Sequence, residues 1–148
     1  MRKLKQKVYD LLTMKDEEIS LENIVNIPGR QVVNPLFSFI QHSNESIKWR
    51  AVKAMGRVVN RMADNDIESA RIIMRRLMWS LNDESGGIGW GAPEAMGEIM
   101  AQNSRLAREY RHILFSYVDK NGNYLEYAPL RNGALWAIER LCQSEKQL

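Results

Sequence analysis

The sequence predicts an all-α chain of three similar helix–loop–helix units behind an N-terminal helical cap. Three observations predict it: a ten-residue pattern recurs at near-constant spacing, a helical apolar stripe precedes each copy, and no stretch alternates with period two for long enough to argue for a sheet. The first copy is Ile47-Lys48-Trp49-Arg50-Ala51-Val52-Lys53-Ala54-Met55-Gly56. The second, Ile88-Gly89-Trp90-Gly91-Ala92-Pro93-Glu94-Ala95-Met96-Gly97, lies 41 positions on (88 − 47). The third, weaker copy runs from Leu130 to Glu139, a further 42 positions on (130 − 88). All three keep an aliphatic residue first, Ala at the fifth and eighth positions, and an aliphatic residue ninth. Small residues three apart share one helix face and let a neighbouring helix come close.

Taken in order, Lys3 to Leu12 places Leu4, Val8, Leu11 and Leu12 at helical spacing, as a cap over an open core would need. A short helix follows around Leu21 to Val25, and Pro28-Gly29 closes it. Gln31 to Gln41 carries Val32, Val33, Leu36, Phe37, Phe39 and Ile40 ahead of the first copy. Ile67 to Leu81 carries Ala70, Ile73, Met74, Leu77 and Met78 ahead of the second, with Asn65 and Glu68 at capping-box spacing. Tyr110 to Val118 precedes the third. The expected divisions of this single domain are a cap over 1–27 and units over 28–63, 64–103 and 104–148.

Ile47-Lys48-x-x-Ala51-x-x-Ala54-Met55-Gly56 resembles the second-helix signature of HEAT-like repeats, the short kind also found in phycobilisome-lyase-type proteins. The resemblance covers residues 30 to 143. The second copy departs from it with Gly89 at the basic position, and the third with Glu139 in place of Gly. The resemblance implies a short right-handed α-α superhelix, an armadillo-like solenoid whose second helices line one face. It implies a binding or scaffold role above all, with a lyase- or transferase-like accessory enzyme as a minority possibility.

Composition sets outer bounds. The 148 residues carry 21 basic and 18 acidic side chains, a net +3, and a single cysteine, Cys142. One cysteine cannot form an internal disulfide, no run approaches the ~18 apolar residues of a membrane span, and the basic start leads into Asp10, Lys15 and Asp16 rather than an apolar leader. The expectation is a cytoplasmic protein with no membrane segment.

The functional candidates cluster in the middle unit. Asn82 to Glu94 holds four glycines within six residues, together with Asp83, Glu84, Trp90 and Glu94. From Leu77 to Ser104 there is no Lys, Arg or His. The register aligns Lys53 with Glu94, and Arg57 with Glu98 and Arg140, which predicts an alternating charged row along the second helices. The expected partner-binding set is therefore Trp49, Trp90, Asp83, Glu84, Glu94 and Glu98, beside a basic patch of Arg50, Lys53 and Arg57, and the expected partner is a protein. Arg71, Arg75, Arg105 and Arg108 on first helices supply a second reading, nucleic-acid binding. No catalytic, metal or cofactor set is expected. His42, His112 and Cys142 have no ligand spacing, Asp119-x-Asn121-x-Asn123 lacks the glycine and glutamate of a calcium loop, and the glycine stretch lacks the Lys-Ser/Thr of a phosphate loop.

Overall fold

The computed structural model describes residues 2–146; Met1, the first residue of the expected cap, and residues 147 and 148, the last of the third unit, lie outside the described residues. The fold is all-α, with no strand among the described residues. Eight α-helices follow in order: α1 (Arg2–Leu12), α2 (Glu17–Val25), α3 (Gly29–Phe39), α4 (Glu45–Asn65), α5 (Ile67–Ser80), α6 (Ala92–Gln102), α7 (Ser104–Ser116) and α8 (Ala128–Lys146).

Short polar side chains start these helices by accepting a hydrogen bond from an otherwise unpaired backbone N–H. Asp16 accepts from Ile19 N, Asn44 from Ile47 N, Asp66 from Glu68 N and Asn103 from Leu106 N. Two expectations shift accordingly. α4 runs unbroken through Asn65, so Asp66 rather than Asn65 caps α5. α7 begins at Ser104, six residues before Tyr110, because Leu106, Ala107, Tyr110 and Leu114 form its buried stripe. Pro28 also has a second role, since its carbonyl accepts from Gln31 N and Val32 N and so opens α3.

α6 is the centre of the molecule. It packs between α4 and α8, with α5 and α7 against it from the other side. Every residue from Ala92 to Met100 is buried, as befits a helix that is largely apolar all round. α3 packs on α4, while α1 and α2 cover the α3–α4 end with Val8, Leu12, Leu21 and Ile24.

The recurring glycine explains the close approach within this row. A Cβ on Gly97 would collide with the backbone and Cβ of Ala137 on α8. One on Gly56 would lie 2.7 Å from Glu98 Cγ on α6. In the third copy the same position is Glu139, and there it is exposed.

The glycine stretch has a structural cause as well. α4 begins at Glu45 and α8 at Ala128, which the 41 and 42 offsets map onto position 86, yet α6 begins only at Ala92. Its first turn and a half is unwound into a loop that packs on the ends of α3 and α5. Gly89 (φ 83°) lies where a Cβ would come within 2.7 Å of the Ser80 carbonyl oxygen. Gly91 (φ 79°) caps α6 against the Ile40 carbonyl, leaving no room for a side chain.

Candidate functional site

Helical spacing sets out one face of the row α4, α6 and α8. Trp49, Lys53, Arg57 and Arg61 succeed one another every fourth residue on α4. Glu94, Glu98 and Gln102 do so on α6, and Trp136 and Arg140 on α8. Residues four apart lie one above the other, so three parallel lines of side chains result.

The central line is acidic, and its cations come from α4 and α8. Lys48 Nζ on α4 lies 2.8 Å from Glu94 Oε2. Arg140 on α8 donates to both oxygens of Glu98, at 2.8 and 3.4 Å, and Gln102 Nε2 donates to Glu98 at 3.4 Å. Glu94 and Glu98 are each only 5% exposed. A buried carboxylate has to be paired, and both are. The glutamates that sequence alignment places on the binding face are therefore internal ion-pair acceptors. The stretch without a positive charge includes the central helix, which takes its counter-charges from its neighbours.

The expected row Arg57–Glu98–Arg140 forms on one side only. Glu98 engages Arg140, whereas Arg57 turns to Glu18 on α2, donating at 2.5 and 3.0 Å. The guanidinium holds the Glu18 carboxyl below its usual range, and the carboxylate raises Arg57 in return. Lys53 pairs likewise with Glu17 at 3.0 Å. Arg50 leaves the face altogether and donates to the carbonyls of Leu12 and Met14, tying the α1–α2 turn to α4.

Trp49 stands near the start of α4 and Trp90 within the unwound start of α6. Trp49 meets Trp136 with ring centroids 4.6 Å apart, donates from Nε1 to Glu45, and has Lys48 Nζ 5.0 Å from its own ring. Trp90 meets Tyr127 edge-on at 5.6 Å. Both are half-buried, so each packs on the core and still presents an edge. Asp83 and Glu84 sit exposed in a single 3-10 turn opened by Asn82, and no hydrogen bond or ion pair joins them to the face among the described residues.

Where α2 meets this face, the surface is hollowed. A cleft of about 580 Å3 is lined by Glu22, Asn26, Arg57, Asn60, Arg61 and Gln102, with Val25 at its wall. A second, of about 360 Å3, adjoins it through Arg57 and Gln102 and reaches Glu17, Lys53, Glu98 and Arg140. Sequence reasoning reached Lys53, Arg57 and Glu98 but missed Arg61, Gln102 and Trp136. The four-residue spacing from Trp49 would have led on to Arg61, and from Glu94 to Gln102. The α2 glutamates gave no such signal, because only tertiary packing brings α2 across α4.

Other candidate groups are engaged locally. His42 Nδ1 accepts from Asn44 N, and Asp119 Oδ1 accepts from Asn121 N in an ordinary turn. Among the described residues no three His, Cys, Asp or Glu side chains are grouped as metal ligands, and no helix is long and apolar enough to cross a membrane.

No family model matches the chain, and no solved structure matches it. An uncharacterized protein of Archaeoglobus fulgidus is 32% identical over 84 residues, covering 57% of this chain and 43% of that protein. The chain thus matches less than half the length of that relative.

Proposed function

We propose that the chain is a HEAT-like right-handed superhelix of three helix pairs, α3–α4, α5–α6 and α7–α8, and that its second-helix face binds a protein partner. The 41- and 42-residue offsets and the neighbour order α4, α6, α8 support the architecture. The observation that carries the function is the pair of joined clefts between α2 and that row, with side chains from four helices converging on Arg57 and Gln102. Rigid helices around a polar hollow, with the Trp49–Trp136 pair one helical turn before Lys53 and Arg140 of its lining, suit a peptide segment carrying both polar and aromatic side chains. The role is binding rather than turnover.

The reading is tested by placing a photo-crosslinking residue at position 53 or 26, with position 23 on exposed α2 surface as the control. A specific adduct at 53 and 26 that Arg61→Glu abolishes is the expected result. Equal adducts at all three positions, or adducts indifferent to Arg61→Glu, overturn it.

A further inference from the structure

The first helices carry a different chemistry. α3, α5 and α7 together hold seven arginines, no lysine and two glutamates. That is a net +5 on three helices, against +3 for the whole chain.

The two glutamates do not neutralise the face, because each is shared, and Glu145 of α8 takes only Arg111, at 2.7 Å. Glu68 binds Arg75 at 2.6 Å and Arg71 at 3.5 Å. Glu109 takes both Arg71 donors at 2.8 Å and Arg105 at 3.4 Å. This network ties α5 to α7 and still leaves an excess guanidinium. Arg76 continues the surface towards α3, donating to Asn34 Oδ1 at 3.1 Å and lying 4.1 Å over the Phe37 ring. Neither Arg76 nor Arg108 has a carboxylate within ion-pair distance among the described residues.

Large apolar side chains stand exposed beside these cations. Trp79, four residues after Arg75, is 54% exposed, and Phe115, four after Arg111, is 40% exposed. A single exposed ring is ordinary. Two rings, each one helical turn beyond an arginine on neighbouring helices, make a pattern.

We propose that the α3–α5–α7 face binds single-stranded nucleic acid, with Arg76, Arg108 and Arg75 on phosphates and Trp79 and Phe115 under unpaired bases. Guanidinium groups suit this ligand because they grip phosphate in a planar, two-pronged fashion and stack on rings, which lysine does not. Arg75 and Arg76 on α5 and Arg108 on α7 stand on helices bridged by the Arg71–Glu109 pair, so one strand can reach both. Unpaired bases offer their faces to aromatic side chains, whereas a duplex keeps them stacked. An acidic peptide would leave the rings without a role.

The test is fluorescence anisotropy with a labelled mixed-sequence DNA strand of about twenty nucleotides, at low and moderate salt. The same sequence as duplex, a polyglutamate peptide and phosphatidylserine vesicles form the other arms. Strand binding should weaken steeply with salt and fall at least tenfold in the Arg76→Glu, Arg108→Glu double variant. Trp79→Ala should weaken it several-fold with the salt slope unchanged. Circular dichroism melting verifies that each variant folds. Absence of binding at low salt, indifference to the arginine changes, or a preference for duplex, polyglutamate or vesicles each overturns the proposal.

Discussion

Gly97 and Ala137 meet where two helix backbones approach as closely as side-chain volume allows. Adding a methyl at Gly97 gains up to ~1 kcal/mol of helix propensity but sets it against the Ala137 backbone, which cannot swing aside. Overpacking of this kind costs about 1–3 kcal/mol, so Gly97→Ala should lower stability in chemical denaturation. Gly56→Ala meets the flexible Glu98 Cγ and Gln102 Nε2 and should lose less. The glycine was legible in the sequence as a retained small residue. Its replacement by Glu139 read as a departure from the pattern, but it falls at an exposed position. Tyr117 is buried at the end of α7, where desolvation pushes its phenol up to about 12. The folded value lies above the unfolded value of ~10, so this contribution is complete below pH 10 and is lost as pH rises from 10 to 12. Its full size is about 2–3 kcal/mol. Denaturation near pH 9 and near pH 11 should show a fall in stability that Tyr117→Phe reduces. An equal fall in both proteins would contradict the assignment.

At the scale of elements, α6 decides the behaviour of its neighbours. Its two buried carboxylates are compensated from outside, Glu94 by Lys48 of α4 and Glu98 by Arg140 of α8. Removing one partner of a buried pair costs about 3–5 kcal/mol because a charge is left unpaired. Lys48→Met should therefore be strongly destabilising, whereas Lys48→Met with Glu94→Leu should recover most of the loss. Arg140→Met should cost less than Lys48→Met, since Arg140 is 32% exposed and water can reach its site. Urea titration of the three variants beside the wild type gives the ordering, and equal losses from the single and double changes at position 48 would overturn it. Helix identities and the repeat register could be read from periodicity, because apolar spacing is a local property. The burial of Glu94 and Glu98 could not. Aligning them with half-exposed Arg57 and exposed Lys53 ignores that α4 has a neighbour on one side of the row and α6 on both. The unwound start of α6 was visible only as glycines, whose cause lies in the Ser80 and Ile40 carbonyls they rest on.

Across the whole molecule, arginines outnumber carboxylates seven to two on α3, α5 and α7, the buried carboxylates lie on α6 within the α4–α6–α8 row, and α2 closes one side of that row through Glu17 and Glu18. Stability depends on the central helix because every other helix of the row packs against it. Ala92 to Met100 is enclosed by α4, α5, α7 and α8, so α6 amides can exchange only when several helix contacts open together. α1, by contrast, buries Val8 and Leu12 and leaves most of its length in solvent, so it can open alone. Native-state hydrogen exchange should then place the most protected amides in α6, at the free energy of global unfolding, and the least protected helical amides in α1. The α8 amides near Ala134 and Ala137 should follow α6, since Gly97 packs directly on that segment. If Gly97→Ala lowers protection in α6 and α8 together while leaving α1 unchanged, the α6–α8 contact is one cooperative unit. If the three helices lose protection equally, the chain unfolds without substructure and the central role of α6 is refuted.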